Sequence, residues 1–200
     1  MRYFSSYFLV CLIFLTCVFA SVFSYPVFSN SGTLTSDQQA YLNDAHEEED
    51  NLVSSVPAIA VVSLNWFDAV DSIFEKYITT RVVDVQTGTQ YYVKRTGGYN
   101  HADVEPIDKE NMQKFYELYN EVWSWERRPV WIEIKGMWVA GSINGMPHGY
   151  SLIIDNGQDG HTCIHFLNSR THGTNRVDES HQNAVEYALK NGEKINDLTL

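Results

Sequence analysis

Residues 130–143 read Val-Trp-Ile-Glu-Ile-Lys-Gly-Met-Trp-Val-Ala-Gly-Ser-Ile, and this stretch decides the fold class. From Val130 to Lys135 aliphatic side chains recur at every second position, which is typical of a strand that packs one face on a core. Gly136 then turns the chain into a second strand run, Met137–Ile143. The stretch therefore predicts an antiparallel hairpin, and Asn144-Gly145 after it predicts another tight turn.

Other strand patterns lie on both sides of this hairpin. Two β-rich runs, 81–86 and 90–95, flank Thr87-Gly88-Thr89 and predict a second hairpin. Further along the chain, short strands are predicted at Ser151–Ile154 and Thr162–Leu167.

Three helices are predicted from apolar residues that recur every three or four positions. The first begins near Ser63, and the other two follow the capping residues Asp108 and Asp178. Together with the strands they predict a mainly β domain of the α+β class over residues 57–190. We expect residues 191–200 to be a frayed tail.

Residues 1–23 have the pattern of an export signal. Arg2 gives a weakly positive start, Tyr7–Phe23 is almost wholly apolar, and Val18-Phe19-Ala20 ends with residue types that a signal peptidase accepts. We expect either a signal peptide cleaved after Ala20 or an uncleaved N-terminal membrane anchor. In both cases the rest of the chain is exported, to the cell envelope or the extracellular space.

Charge limits the partners of the exported part. Residues 24–56 contain no lysine or arginine and include the acidic run Glu47–Asp50, so we expect an acidic flexible linker. The whole chain has a formal net charge of -11, which excludes nucleic acid and anionic lipid surfaces as favourable partners. We expect a monomer that contacts the membrane only through its N-terminal segment, if that segment is uncleaved.

The cysteine count points to a single thiol. Cys11 and Cys17 lie inside the export segment, so the exported domain carries Cys163 alone. Exported proteins usually pair their cysteines, and an unpaired one therefore suggests a chemical role. The alternative is a buried, inert cysteine that acts as a small apolar residue.

Histidines concentrate around this cysteine, since five of the seven in the chain lie between residues 148 and 181. In one interpretation Cys163 is a nucleophile and His148 is the base that takes its proton. The backbone N–H groups of Thr162 and Cys163 would then bind the developing oxyanion.

A second interpretation is a zinc site in a metal-dependent hydrolase. His161, Cys163 and His165 recur at a period of two, so on a strand all three face one way. His101 and Asp103, in a dense polar segment, are the candidate additional ligands. A third interpretation is a hydrogen-bonded histidine network without chemistry, in a binding or structural protein.

The segment from His148 to His165 resembles the catalytic motif of L,D-transpeptidases, the YkuD-type domain. That family has a His-Gly pair and, after a loop and a strand, Ser-His-Gly-Cys followed by an apolar residue and an Arg or Asn. Here His148-Gly149 matches the first part, and His161, Cys163 and Ile164 match the second, with fifteen residues from His148 to Cys163.

The motif departs from the family pattern at three positions. Gly160 stands where Ser or Thr is common, Thr162 replaces the motif glycine, and His165 occupies the position of the Arg or Asn. Thr162 still has a backbone N–H to donate. The change at His165 leaves the anchoring of substrate to other residues, which identifies the chain as a divergent member.

The resemblance implies a YkuD-like β-sandwich or barrel with about three peripheral helices, and acyl transfer on the stem peptides of peptidoglycan without a cofactor. Cys163 would attack the carbonyl between an L-centre and a D-residue, with His148 as base and His161 as the second catalytic histidine. A backbone carbonyl near Gly149 would orient the His148 imidazole. The acyl group would then pass to an amine or to water.

Four residues are the candidates for substrate binding. His165 follows the motif, and Arg170 and Arg176 lie in the polar loop after it, where an arginine would hold a substrate carboxylate. Arg128 belongs to the segment Trp123–Pro129, which could stack on a sugar or peptide and bind a carboxylate.

Overall fold

A computed structural model describes Ser36 and residues 58–198 of the chain. The predicted export segment, residues 1–23, lies outside the described residues, as does all of the predicted linker except Ser36. In the part that is described, no helix has the length and apolar character needed to cross a membrane.

Residues 58–198 form seven strands and three short α-helices. The strands are β1 (Val61–Val62), β2 (Thr79–Asp84), β3 (Gln90–Gly97), β4 (Ala102–Pro106), β5 (Ser124–Ile134), β6 (Met137–Gly145) and β7 (Thr162–His165). The helices are α1 (Asp71–Ile73), which continues a π-helical turn at Trp66–Val70, α2 (Lys109–Glu117), α3 (Glu179–Lys190) and a final 3₁₀ helix at Gly192–Asp197.

Six of the strands close into an antiparallel barrel. They follow the order β6-β5-β2-β3-β4-β7, and β7 pairs back onto β6 to close the ring. Strand β1 lies outside the ring, parallel to β6. The predicted mainly β class with about three peripheral helices is therefore confirmed, as a barrel.

The central hairpin has the predicted strands but buries both of its faces. Lys135 and Gly136 have φ angles of 49° and 78°, as in a two-residue turn that matches the strand twist. Ile132 points into the barrel core, whereas Trp131 packs on a second apolar cluster outside it. The Trp131 indole N–H donates to the Ala188 carbonyl at 2.8 Å, so α3 covers the outer face of the barrel.

Residues 192–197 are packed, in contrast to the predicted frayed tail. Ile195 is fully buried in the outer cluster. A side chain added at Gly192 would lie 2.8 Å from the Val61 Cβ, so the helix approaches β1 closely. Asn196 hydrogen-bonds to both the N–H and the carbonyl of Ile59. The folded domain therefore extends beyond residue 190.

The predicted helix caps are confirmed, and one predicted strand is corrected. Asp108 and Asp178 each accept an N–H three residues ahead, from Asn111 and His181 respectively. Ser151–Ile154 is not a strand, because the buried Glu105 carboxylate accepts the N–H groups of Leu152 and Ile153 at 2.8 and 2.9 Å.

Arg128 is part of the framework and not a free substrate-binding residue. Its guanidinium forms a two-point ion pair with Asp84, at 2.8 and 2.9 Å, and Asp84 is fully buried. Thr87 also donates to Asp84 through its N–H and its hydroxyl. This pair joins β2 to β5.

We expect Arg128→Met to lower the free energy of unfolding by about 3 kcal/mol, because it leaves a buried carboxylate without its cation. Urea unfolding of the variant and the parent chain measures the difference. Lys135→Met is the control, since Lys135 pairs with Glu75 in solvent and its loss should have little effect. Equal losses in the two variants would contradict a structural role for the Arg128–Asp84 pair.

Candidate functional site

Strand β7 brings the predicted nucleophile into a ring of polar side chains. It pairs with β4 on one side, where Cys163 lies opposite Asp103, and with β6 on the other. Cys163 is a free thiol and is 2% exposed. Because side chains alternate along a strand, His161, Cys163 and His165 project towards the same side.

A backbone bridge just before β7 holds the predicted base beside it. His148 and His161 exchange two N–H···O bonds, both of 2.9 Å. Gly160 has a φ of 100°, and a Cβ there would lie 2.7 Å from the His148 carbonyl oxygen. This contact explains why Gly160 replaces the Ser or Thr of the motif that the sequence resembles.

Cys163 and His148 lie within contact distance of each other. The sulfur is 3.4 Å from His148 Nε2, and His148 Nδ1 donates to the Met146 carbonyl at 2.9 Å. Since a carbonyl can only accept, the proton of a neutral His148 ring lies on Nδ1 and a lone pair faces the sulfur. Met146 therefore supplies the orienting backbone carbonyl that we expected near Gly149.

Gly149 leaves room for the His161 ring because it has no side chain. Gly149 has a φ of 69°, and a Cβ at this position would lie 2.5 Å from the His161 Cε1 atom. The His161 ring therefore lies directly over the glycine backbone, with Nδ1 donating to the Tyr150 carbonyl at 3.2 Å. Its Nε2 faces Asp103 Oδ1 at 3.7 Å.

The environment keeps Cys163 protonated at rest. Burial raises the pKa of the Cys163 thiol, and the charge of Asp103 raises it further. A hydrogen bond with the Asn144 side chain pulls that pKa down, but less strongly. The pair with His148 is therefore a neutral thiol beside a base.

Asn144 is a site residue that the sequence analysis missed. It is buried near the end of β6, and its Oδ1 accepts the Met146 N–H at 3.2 Å. This bond fixes the amide so that the Nδ2 hydrogens face Cys163. The Asn144-Gly145 pair is typical of a turn, and nothing else in the sequence indicated that Asn144 belongs to the site.

His172 is the second missed residue. Its Nε2 lies 3.6 Å from the Cys163 sulfur, 2.9 Å from His101 Nε2 and 3.2 Å from Asp103 Oδ1. Its side chain is 45% exposed, so it forms the outer wall of the site. The signal in the sequence was a further histidine after the motif, whereas the substrate contacts predicted in that loop are its arginines, Arg170 and Arg176.

Cys163 lines a cavity of about 240 Å³ at the surface of the barrel. Trp125, which is half exposed, and Arg127 form part of its wall, together with His148 and His172. The stacking segment predicted around Trp123–Pro129 is therefore at the site. Its arginine at the cavity is Arg127, since Arg128 is bound to Asp84.

The two loop arginines lie elsewhere. Arg170 and Arg176 are exposed, and neither lines the cavity. The Arg170 guanidinium lies over the Phe67 ring at 5.1 Å, while its carbonyl accepts the His101 Nδ1 hydrogen at 2.5 Å. Thr162 is buried, and its hydroxyl donates to the Val104 carbonyl at 3.4 Å. The oxyanion role of the Thr162 N–H stays a prediction.

Another cavity, of about 370 Å³, opens between α1 and the β2 and β5 strands. No cysteine or histidine is among its lining residues. The site around Cys163 therefore lies apart from this larger cavity.

Comparisons with known proteins give no match. No protein-family model, no curated protein and no solved structure is detectably similar to the chain. The resemblance to L,D-transpeptidases therefore rests on the motif alone.

His165 packs against other histidines and also lines the cavity, so its predicted contact with substrate stays a prediction. Its ring stacks on His101 with centres 4.4 Å apart and on His181 with centres 3.7 Å apart. His181 also hydrogen-bonds to the Ser142 hydroxyl at 2.8 Å. Burial lowers the pKa of His181 to about 3, and the charge of Arg127 acts in the same direction.

This buried histidine predicts a loss of stability in acid. The unfolded chain protonates His181 near its ordinary pKa of 6.5, whereas the folded chain keeps it neutral down to about 3. Protons therefore favour the unfolded state in that window, at up to about 1.4 kcal/mol per pH unit for one group. We expect urea unfolding from pH 7 to pH 4 to show a shallower decline for His181→Gln. Parallel curves would show that His181 is not buried and neutral.

Proposed function

We propose that this chain is a cysteine-dependent acyl transferase that acts on the stem peptides of peptidoglycan. The observation that carries the proposal is the alignment of the Cys163 sulfur, His148 and the Met146 carbonyl, with contacts of 3.4 and 2.9 Å. A nucleophile, its base and the group that orients the base is the arrangement on which covalent acyl transfer depends.

The reaction follows from the neutral pair. As the Cys163 sulfur attacks a substrate carbonyl, its proton passes to His148 Nε2, and the C–S bond forms while the carbonyl π electrons move to oxygen. Collapse of the tetrahedral intermediate breaks the C–N bond, and the leaving amine takes the proton from His148. An acceptor amine or water then attacks the thioester carbonyl while His148 takes its proton. Collapse of this second tetrahedral intermediate breaks the C–S bond, and the proton returns from His148 to the Cys163 sulfur.

Asn144 is suited to stabilise the oxyanion of these steps. Its amide hydrogens face the sulfur, and it is buried, so its dipole acts in a region of low dielectric constant. The backbone N–H of Thr162 is the second candidate donor. Together they would supply the charge stabilisation that a thiol nucleophile needs.

Substrate recognition is assigned to the wall of the cavity. Trp125 offers an exposed ring 5.1 Å from the His148 ring, on which a peptide or sugar can stack. Arg127 pairs with Asp178 at 3.2 Å, while its Nε is buried without a hydrogen-bond partner. The rest of this guanidinium lies in the cavity wall and its side chain is 26% exposed, so its charge is placed to attract a substrate carboxylate, as a stem peptide carries.

We expect the metal-free full chain to form a thioester with tetrapeptide-bearing muropeptides, because Cys163 has a base within reach. Intact-protein mass spectrometry would detect the acyl-enzyme as an adduct on the chain. The adduct should be absent in Cys163→Ala and slowed by at least about 100-fold in His148→Gln, since the variant loses the base nearest the sulfur. Lys135→Met, which lies away from the cavity of Cys163, is the control and should form the adduct normally. An equal adduct in Cys163→Ala, or none in the folded parent chain, would contradict the proposal.

We expect Asn144→Ala to slow acylation by about 100- to 1,000-fold while substrate binding changes little, because the amide acts on charge that exists only in the transition state. Single-turnover acylation at several substrate concentrations separates the rate from the affinity. A variant that binds substrate more weakly but acylates at the parent rate would exclude this role.

A further inference from the structure

The site contains more hydrogen-bond acceptors than donors. The Nδ1 atoms of His101, His148 and His161 each face a backbone carbonyl, at 2.5, 2.9 and 3.2 Å. A carbonyl only accepts, so each Nδ1 carries a hydrogen and each neutral ring directs an Nε2 lone pair into the site. The lone pairs of His101 and His161 face Asp103 Oδ1 at 3.3 and 3.7 Å, and that of His148 faces the Cys163 sulfur. Asp103 Oδ1 and His161 Nε2 are both buried without a hydrogen-bond partner.

Such an arrangement is what a metal ion requires. A histidine ligand commonly donates its second ring N–H to a carbonyl, which fixes the tautomer and the direction of the lone pair. His101 is held in this way and is only 1% exposed, so its Nε2 is a buried acceptor directed at Asp103 and His172. A divalent cation would satisfy the buried acceptors of His101 and Asp103 at once.

The distances agree with one four-coordinate set. Bonds of about 2.0–2.1 Å to nitrogen and oxygen and about 2.3 Å to sulfur place tetrahedral ligand atoms roughly 3.3 Å apart, or about 3.5 Å for a nitrogen–sulfur pair. Asp103 Oδ1 lies 3.3 Å from His101 Nε2 and 3.2 Å from His172 Nε2. His172 Nε2 lies 2.9 Å from His101 Nε2 and 3.6 Å from the Cys163 sulfur.

We propose that His101, Asp103, Cys163 and His172 bind a zinc-class divalent cation. Their ligand atoms lie within 4.8 Å of one another. One carboxylate and one thiolate balance the charge of the ion, and the mixed N, S and O ligands suit zinc. His172 replaces His165 in the ligand set that the sequence suggested, because the His165 ring is stacked between His101 and His181.

The ion would also control the nucleophile. Binding replaces the S–H bond of Cys163 with a metal–sulfur bond and releases the proton to solvent, so the sulfur is no longer free to attack a carbonyl. This consequence rests on the proposed acyl transfer, whereas the metal site does not. The exposed His172 gives the ion a path to and from the site.

The test titrates the chelator-treated full chain with zinc against a chromophoric chelator. We expect one ion per chain, and affinity at least about tenfold weaker in Asp103→Asn and His172→Gln, since each removes a ligand. Lys135→Met is the control and should bind zinc normally, because Lys135 is exposed and pairs with Glu75. His161→Gln should also bind zinc, since His161 lies outside this ligand set. Cobalt(II) should give the charge-transfer absorption of a thiolate ligand in the parent chain and not in Cys163→Ser.

The outcomes separate the two proposals. Zinc binding without any acyl-enzyme in the metal-free chain would overturn acyl transfer and leave the metal site intact. Folded parent chain that binds no zinc, or variants at Asp103 and His172 that bind it as well as the parent does, would overturn the metal site. Binding lost in His161→Gln and retained in Asp103→Asn would also overturn this ligand set.

Discussion

Closure of the barrel by β7 is the constraint on which the site depends. This strand of four residues pairs with β4 and β6 at once, and its register places Cys163 opposite Asp103. A slip of one residue would turn the cysteine to the other face of the strand and break both pairings. The β-bridge between His148 and His161 continues the strand pairing just before β7. It places the His148 ring beside the Cys163 sulfur.

The buried position of the sulfur determines how it can react. Because burial and Asp103 raise the pKa of Cys163, the thiol depends on the base beside it. The same acceptor groups that disfavour a free thiolate would favour a metal-bound one, since the charge of the cation offsets theirs. The proposed acyl transfer and the proposed metal binding would thus be two uses of one electrostatic arrangement, and they would compete for one atom.

Local sequence patterns predicted the hairpins and the helix caps, but they did not predict the contacts that depend on tertiary packing. Alternation predicted one buried face for the 130–143 hairpin, and α3 buries the other. Asn144-Gly145 has the composition of a turn, yet a Cβ at Gly145 would lie 2.5 Å from the Tyr119 ring, so contact with Tyr119 requires this glycine within β6. The motif located Cys163 and His148, while His172 joins them through a loop whose path no local pattern encodes.

In the proposed mechanism, His148 takes the proton of Cys163. The rate of Cys163 alkylation by iodoacetamide, measured at neutral pH in metal-free parent chain and in His148→Gln, tests it most directly. The thiol is neutral at rest and has one base at 3.4 Å. We therefore expect the parent chain to react at least about tenfold faster than the variant. Equal rates in two folded proteins would contradict the claim.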